Sequence, residues 1–83
     1  MNIPVEKIRS IFYNYLGLPD NKKAFDDYIN FCINNEYLIE DSIYCELHHI
    51  IPNCVVKNDY LIRLKYIDHV IAHQKLFLSY NIN

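Results

Sequence analysis

The four histidines of this chain lie in its C-terminal half and form two pairs. His48 and His49 are adjacent, whereas His69 and His73 are four residues apart. Two histidines four apart on a helix project from the same face, because a turn takes ~3.6 residues, so both rings can reach one divalent cation. Adjacent residues on a strand point to opposite faces, so one histidine of the first pair could be a third ligand while the other stays free for proton transfer. The spacing therefore predicts a metal centre beside a general base.

Size and composition limit the class of protein. The 83 residues are 52% hydrophobic, as expected for one small globular domain whose thin core a bound metal would help to stabilise. The sequence has neither the ~20 consecutive apolar residues of a membrane span nor the pattern of a signal peptide. Three cysteines are an odd number for a disulfide framework. We therefore expect a cytoplasmic protein with reduced thiols and no membrane partner.

Charge is distributed unevenly along the chain. The net charge of −2 disfavours tight binding of nucleic acid by the chain as a whole, because phosphate binding depends on Lys and Arg. The first 42 residues carry four basic and seven acidic side chains, whereas the remaining residues carry four basic and three acidic ones. The half that contains the histidines is therefore the better candidate for facing an anion.

The N-terminal half has the apolar spacing of two helices. Apolar residues recur at helical intervals over residues 4–16 and again over residues 21–34. Gly17 and then Pro19 end the first helix, and Asp20 is the predicted N-cap of the second. Because the connection is short, we expect the two helices to pack against each other as an antiparallel hairpin.

The C-terminal half has the composition of two strands and a helix. Residues 37–39 and 43–51 are rich in β-branched and aromatic residues, and residues 60–64 have the pattern of a short returning strand. We expect the returning strand to pair antiparallel with the first. From residue 65 to about residue 79 the apolar residues return to helical spacing, and this helix carries His69 and His73.

A strand with HH, a loop, a strand and a helix with HxxxH form a ββα arrangement around one ion. Over residues 43–78 this pattern, with the segment YCELHHIIP, resembles the HNH endonuclease family, both the phage homing-type enzymes and the nuclease domains of DNase colicins. The matching positions are Glu46, His48, His49, Pro52, Leu64, Asp68, His69, Ala72 and His73. The expected fold is α+β: a helical hairpin, residues 1–35, packed on a ββα-metal core, residues 36–83, in one compact domain.

The resemblance implies a role for each histidine. His48, His69 and His73 would hold one divalent metal ion, and His49 would be the general base that activates water to hydrolyse a DNA phosphodiester. The products would carry 5′-phosphate and 3′-hydroxyl ends. Three neutral imidazoles suit Zn²⁺, Ni²⁺, Mn²⁺ or Co²⁺ better than Mg²⁺. DNA is then the expected partner, and cutting both strands with one such centre would favour a homodimer.

The chain departs from the family at the middle letter of HNH. The asparagine expected nine residues before His69 is replaced by Tyr60, and the nearest asparagine is Asn58. The glycine pair common in the preceding loop is also missing, and residues 55–57 stand in a shortened loop. In the family that asparagine braces the loop and orients the base. Either Asn58 or Tyr60 therefore takes over this role, or activity is impaired.

Other residues near the motif have a structural and a functional interpretation. His49 could instead be a second ligand or a core histidine. Glu46 could orient a ligand, hold an arginine toward phosphate, or be a solvated carboxylate. Arg63 and Lys65 could contact phosphate, although strand alternation is expected to leave one of them as plain surface. Asp68 is better explained as a favourable charge at a helix start than as a partner of the metal ligands.

Two other functions stay open at this point. The acidic net charge and Tyr60 are compatible with a catalytically weak, metal-stabilised module that binds protein or nucleic acid. The chain could also be the nuclease fragment of a larger homing-type endonuclease whose DNA-binding part lies beyond Asn83. A structural zinc site built from Cys45 and Cys54 is disfavoured, because no CxxC pair is present.

Overall fold

Three helices and two strands build the described part of the chain in the predicted order. The computed structural model describes residues 3–38 and 44–81. The elements are α1 (Val5–Leu16), α2 (Lys22–Asn35), β1 (Cys45–His49), β2 (Leu61–Lys65) and α3 (Tyr66–Tyr80). None of these three helices is long and apolar enough to span a lipid bilayer. The predicted α+β class is confirmed.

The ends of the first two helices follow from local chemistry. Gly17 adopts a φ of 75° after α1, in a region that side chains rarely enter, and its N–H donates to the Tyr13 carbonyl. The second helix is capped by Asn21, whose Oδ1 accepts from the Ala24 N–H at 3.0 Å. The prediction that Asp20 is this cap was wrong by one residue. An N-cap side chain accepts from the N–H two or three residues ahead of it. Asn21 directly precedes the first residue of α2 and lies three residues before Ala24, so its side chain makes this bond.

The two strands form an antiparallel sheet whose register places the histidine pair. His48 pairs with Ile62 and Glu46 with Leu64, so these four residues share the inner face of the sheet. Leu47 pairs with Arg63 on the outer face. The predicted antiparallel pairing is therefore confirmed.

The predicted strand segments extend further than the observed ones. Tyr37 and Leu38 are not in a strand, although the Tyr37 N–H donates to the Arg63 carbonyl at 2.7 Å. Ile50 and Ile51 lie beyond the end of β1, and the Ile50 N–H donates to the Tyr60 carbonyl at 3.0 Å. Residues 39 and 43, which were also assigned to strands, lie outside the described residues. β-Branched composition signals burial here as much as it signals a strand.

One buried cluster contains residues from all three helices, from β2 and from the segment after β1. The Phe12 ring of α1 lies 5.0 Å from that of Phe25 in α2 and 5.6 Å from that of Tyr80 in α3, centroid to centroid. The most extensive helix packing is nevertheless between α2 and α3. The N-terminal helices thus touch through large aromatic rings, but the predicted hairpin is not the principal helix pair. The chain runs from β2 directly into α3, and α3 packs onto α2. The candidate site lies where α3 meets the sheet.

Candidate metal centre

Three of the four histidines converge at the junction of β1 and α3. His48, His69 and His73 each offer a ring nitrogen, and these three atoms lie within 4.8 Å of one another. The ring centroids are 5.0 Å apart for His48 and His69, 5.1 Å for His48 and His73, and 4.8 Å for His69 and His73. The prediction that these three side chains lie close enough to hold one ion is confirmed.

The secondary structure explains why the rings meet. His69 and His73 are one turn apart on α3, which begins at the residue immediately after β2 ends. A direct strand-to-helix connection leaves little freedom in where the first turns of α3 lie relative to the sheet. His48 sits on the inner face of β1 opposite Ile62, and this face is the one that α3 covers. Local geometry thus directs all three rings to one place.

His48 is the most enclosed of the three histidines. Its side chain is 1% exposed, and its Nε2 lies 2.8 Å from the hydroxyl of Tyr28 in α2. The same hydroxyl donates to the Ile50 carbonyl at 2.6 Å. Among the described residues, the His48 Nδ1 is the one buried side-chain nitrogen or oxygen without a hydrogen-bond partner. A buried polar atom without a partner is costly, so this nitrogen fits a ligand atom for a cation.

His69 lies between His73 and the carboxylate of Glu46. Its Nδ1 lies 3.2 Å from the Glu46 Oε1, and its Nε2 lies 3.1 Å from the Nε2 of His73. A carboxylate that accepts from one ring nitrogen leaves the other nitrogen to bind a metal, a pattern common around histidine ligands. Glu46 therefore contacts a candidate ligand, which is one of the interpretations considered for it from the sequence. Its position on the inner face two residues before His48 is what makes this contact possible.

The electrostatics of the site favour neutral rings. Burial lowers the pKa of His48 to about 3, with His73, His69 and His49 adding further to the decrease. Burial also lowers the pKa of His73, followed by the effect of His69. A histidine must be neutral to bind a metal ion, so these rings are prepared as ligands at neutral pH without first losing a proton.

His49 lies beside the same site at the end of β1. A cavity of ≈ 330 Å³ is lined by Leu47, His48, His49, Pro52, Asn53, Cys54, His69 and His73. His49 is half-buried and is the last residue of its strand. The fourth histidine thus borders a cavity that the three converging rings also line, while it stands outside the group of three. Cys54 also borders the cavity but is outside this group, as is Cys45.

The loop between the strands is braced by Asn58. Its Nδ2 donates to the carbonyls of Ile51 at 3.0 Å and Val56 at 2.8 Å, and its Oδ1 accepts from the Tyr60 N–H at 3.0 Å. The Tyr60 ring instead packs against the hydrophobic core. Of the two residues considered for the missing asparagine, Asn58 therefore makes the loop-bracing contacts. Both amide protons of Asn58 bond to the loop backbone, so its side chain supports the loop rather than the ring of His49.

Arg63 and Lys65 share one face of the sheet, so the expectation that strand alternation separates them was wrong. Residues two apart on a strand point the same way, and both lie opposite the face that carries Glu46 and His48. Arg63 is half-buried, and the Lys65 ammonium lies 5.8 Å from the centroid of the Tyr37 ring. A contact of either residue with phosphate stays a prediction.

Two further side chains complete the surroundings. Asp68 lies in the first turn of α3, as expected for a charge that favours a helix start. Tyr28, which contacts His48, was not singled out from the sequence. Its helical spacing with apolar neighbours indicates a core residue, which it is, since its side chain is fully buried. The sequence carries no signal that links a tyrosine of α2 to a histidine of β1.

Comparison with known proteins finds no relative of this chain, so the function of the site is argued from the positions of its residues. No protein-family model matches the chain, and no curated protein and no solved structure is significantly similar to it.

Proposed function

We propose that this chain is a metal-dependent endonuclease of the HNH type that hydrolyses DNA phosphodiester bonds. One observation carries the proposal: three histidine rings meet within 4.8 Å, and a fourth histidine borders the same cavity. A purely structural metal site has no use for a fourth imidazole in the same cavity. The resemblance of residues 43–78 to the family and the loop braced by Asn58 support the same function.

The donor set fits a divalent transition metal. Three neutral imidazole nitrogens are typical ligands of Zn²⁺, Ni²⁺ or Co²⁺, with Mn²⁺ acceptable and Mg²⁺ less suitable. The unpaired, buried Nδ1 of His48 is the observation in this structure that favours such an ion. When bound, the ion would supply Lewis-acid stabilisation of the charge that develops on the phosphate and on the departing 3′ oxygen.

The remaining steps belong to the side chains of this chain. An unprotonated ring nitrogen of His49 takes a proton from water, and the water oxygen then attacks phosphorus in line with the 3′ oxygen that departs. Cleavage of the P–O3′ bond leaves a 5′-phosphate on one product, and the departing 3′ oxygen takes up a proton from solvent to become the 3′-hydroxyl of the other. Glu46 keeps His69 oriented through its Nδ1, and Asn58 holds the loop that follows His49. Arg63 and Lys65 are the proposed contacts to the DNA backbone.

A plasmid-nicking assay with added Zn²⁺, Ni²⁺, Mn²⁺, Co²⁺ or Mg²⁺ tests the proposal. We expect His49→Ala to lose about 10²–10⁴-fold in cleavage rate, the contribution typical of a general base, and to keep its metal affinity. We expect His73→Ala to lose both cleavage and metal affinity. The reverse pattern, with metal affinity lost in His49→Ala and retained in His73→Ala, would refute the role assignment.

A second function, a metal-stabilised binding module, is favoured by one surface of α3. Val70, Gln74, Phe77 and Leu78 line a cavity of ≈ 600 Å³ together with His73, and three of these residues are large apolar side chains at least 42% exposed. Such a surface beside the site suits a protein partner or a second copy of the chain better than DNA. Plasmid that stays intact at high protein concentration, with metal bound, would favour this function over the nuclease.

A homodimer remains part of the nuclease proposal, because one centre cuts one strand at a time. Light scattering coupled to size-exclusion chromatography, with and without DNA, would determine the oligomeric state.

A further inference from the structure

The hydroxyl of Tyr28 lies between a histidine ring and a backbone carbonyl in the interior of the protein. It is 2.8 Å from the His48 Nε2 and 2.6 Å from the carbonyl oxygen of Ile50. Tyr28 is fully buried and His48 is 1% exposed. Water therefore does not compete for these hydrogen bonds, and the protein groups around the hydroxyl, which include the Cys32 thiol, decide where the protons lie.

Counting protons determines the direction of both hydrogen bonds. A tyrosine hydroxyl has one proton, and a carbonyl oxygen can only accept. At 2.6 Å from Ile50, two oxygens without a proton between them would repel, so the Tyr28 proton points to the Ile50 carbonyl. The hydroxyl oxygen must then accept from His48, which requires a proton on the ring's Nε2.

This tautomer leaves the lone pair of Nδ1 directed at the site. In a neutral imidazole one nitrogen is protonated and the other has a free lone pair. The His48 Nδ1 is buried and has no partner among the described residues, and its ring lies beside those of His69 and His73. If Nε2 lacked an acceptor, the ring could place its proton on Nδ1 instead, and that nitrogen could no longer bind a cation.

We infer that Tyr28 is a positioning residue of the metal centre, which selects the His48 tautomer that presents Nδ1 as a ligand. The inference depends on the metal site of the proposed function but does not depend on DNA cleavage. Tyr28 then does for His48 what Glu46 does for His69: each accepts from one ring nitrogen and leaves the other to the metal. Helix α2, which contributes no ligand, thereby becomes part of the site.

The test compares Tyr28→Phe with a matched control, Tyr80→Phe. The Tyr80 hydroxyl also donates to a backbone carbonyl, that of Gly17 at 2.8 Å, but this hydrogen bond is only partly buried and lies away from the histidines. Zn²⁺ affinity is measured by competition with a chromophoric chelator, and folding is checked by circular dichroism. Tautomers are read in the metal-free protein by long-range ¹H–¹⁵N NMR of the histidine rings. We expect Tyr28→Phe to bind Zn²⁺ about 10–100-fold more weakly, the usual effect of removing such a partner, and Tyr80→Phe to bind as the wild type does.

The NMR measurement on the wild type decides the inference even if Tyr28→Phe fails to fold. Protonation of His48 on Nε2 supports it, and protonation on Nδ1 overturns it. A folded Tyr28→Phe protein that binds Zn²⁺ as tightly as the wild type also overturns it. A wild type that binds no Zn²⁺ removes both the metal site and the role of Tyr28. A wild type that binds Zn²⁺ but does not cleave DNA refutes the nuclease function alone, and the affinities of the two variants still determine the role of Tyr28.

Discussion

At the scale of single residues, the site depends on keeping His48 neutral and in one orientation. The ring is buried, and its neighbours come from three elements: Tyr28 from α2, His49 from β1, and His69 and His73 from α3. Each of the neighbouring imidazoles disfavours a positive charge on His48. Burial in the core thus has a chemical consequence, since it retains the lone pair that a metal ion requires.

The metal-free protein should lose stability as the pH falls below the pKa of an ordinary histidine. In the unfolded chain His48 takes up a proton near pH 6.5, whereas in the folded chain its pKa is lowered to about 3. The unfolded state therefore binds more protons between these values, and the free energy of unfolding falls as the pH falls through this window. Above pH 6.5 His48 is neutral in both states, so it does not make the free energy of unfolding depend on pH. We expect His48 to lower the free energy of unfolding by about 2 kcal/mol between about pH 6.5 and about pH 5, since each pH unit in this window corresponds to ~1.4 kcal/mol.

Urea denaturation with a chelator present, at about pH 7 and about pH 5, measures this effect. His48→Gln cannot take up the proton and should show a smaller difference between the two pH values. His49→Gln retains His48 and should keep the larger difference. An equal pH dependence in His48→Gln and in the wild type would contradict the prediction.

At the scale of elements, the direct connection from β2 to α3 and the loop from β1 to β2 set the position of the site. The connection from β2 to α3 places His69 and His73 over the inner face of the sheet. The loop from β1 to β2 follows His49 and lines part of the cavity. The loop contains no glycine, and side-chain hydrogen bonds to its backbone brace it. Asn58 supplies three of these bonds.

Asn58→Ala should destabilise the protein by about 2 kcal/mol. The substitution leaves two carbonyl oxygens and one backbone N–H without their side-chain partner, and each such hydrogen bond contributes about 0.5–1.5 kcal/mol. Asn53→Ala is the matched control in the same loop, because its side chain accepts a single bond of 3.3 Å and is exposed. The control should change the free energy of unfolding by less than about 0.5 kcal/mol. Similar denaturation midpoints for the two variants would argue against a bracing role of Asn58.

At the scale of the whole molecule, the ion would link the sheet to the third helix of a very small protein. Over the described residues 3–38 and 44–81 the sheet has two strands, which are marginal by themselves, and a chain of 83 residues buries a modest core. His48 lies on β1, whereas His69 and His73 lie on α3, so one ion would bridge elements that are distant in sequence.

Removal of the metal should therefore lower the melting temperature. A ligand at one hundred times its dissociation constant stabilises the folded state by about 2.7 kcal/mol. For a domain of this size, that corresponds to a rise of roughly 10–20 °C on adding Zn²⁺ to chelator-treated protein. Differential scanning calorimetry measures the change, and His73→Ala should abolish most of it. Identical melting temperatures with Zn²⁺ and with chelator would exclude a stabilising metal site.

The choice of His48 rather than His49 as the third histidine came from the family resemblance of residues 43–78 and not from the pattern itself. The sequence pattern alone was sufficient for the order of the elements, the antiparallel pairing and the shared helix face of His69 and His73. These properties depend on periodicity: a spacing of four on a helix and the pleat of a strand determine which side of its own element each residue takes. The shared face of Arg63 and Lys65 followed from the same rule and was mispredicted. The shift of the second helix cap from Asp20 to Asn21 depended on local backbone geometry, which composition does not specify.

Only the tertiary structure decided which residues of different elements meet. The contact of Tyr28 with His48 joins α2 to β1, and that of Glu46 with His69 joins β1 to α3. Periodicity predicted that Tyr28 is buried, but not that its hydroxyl lies against an imidazole. The same holds for the dominant packing of α2 on α3 and for the amide of Asn58, whose partners depend on how the loop closes. A repeating pattern in the sequence specifies the face of an element, whereas the partner on that face depends on how the elements pack together.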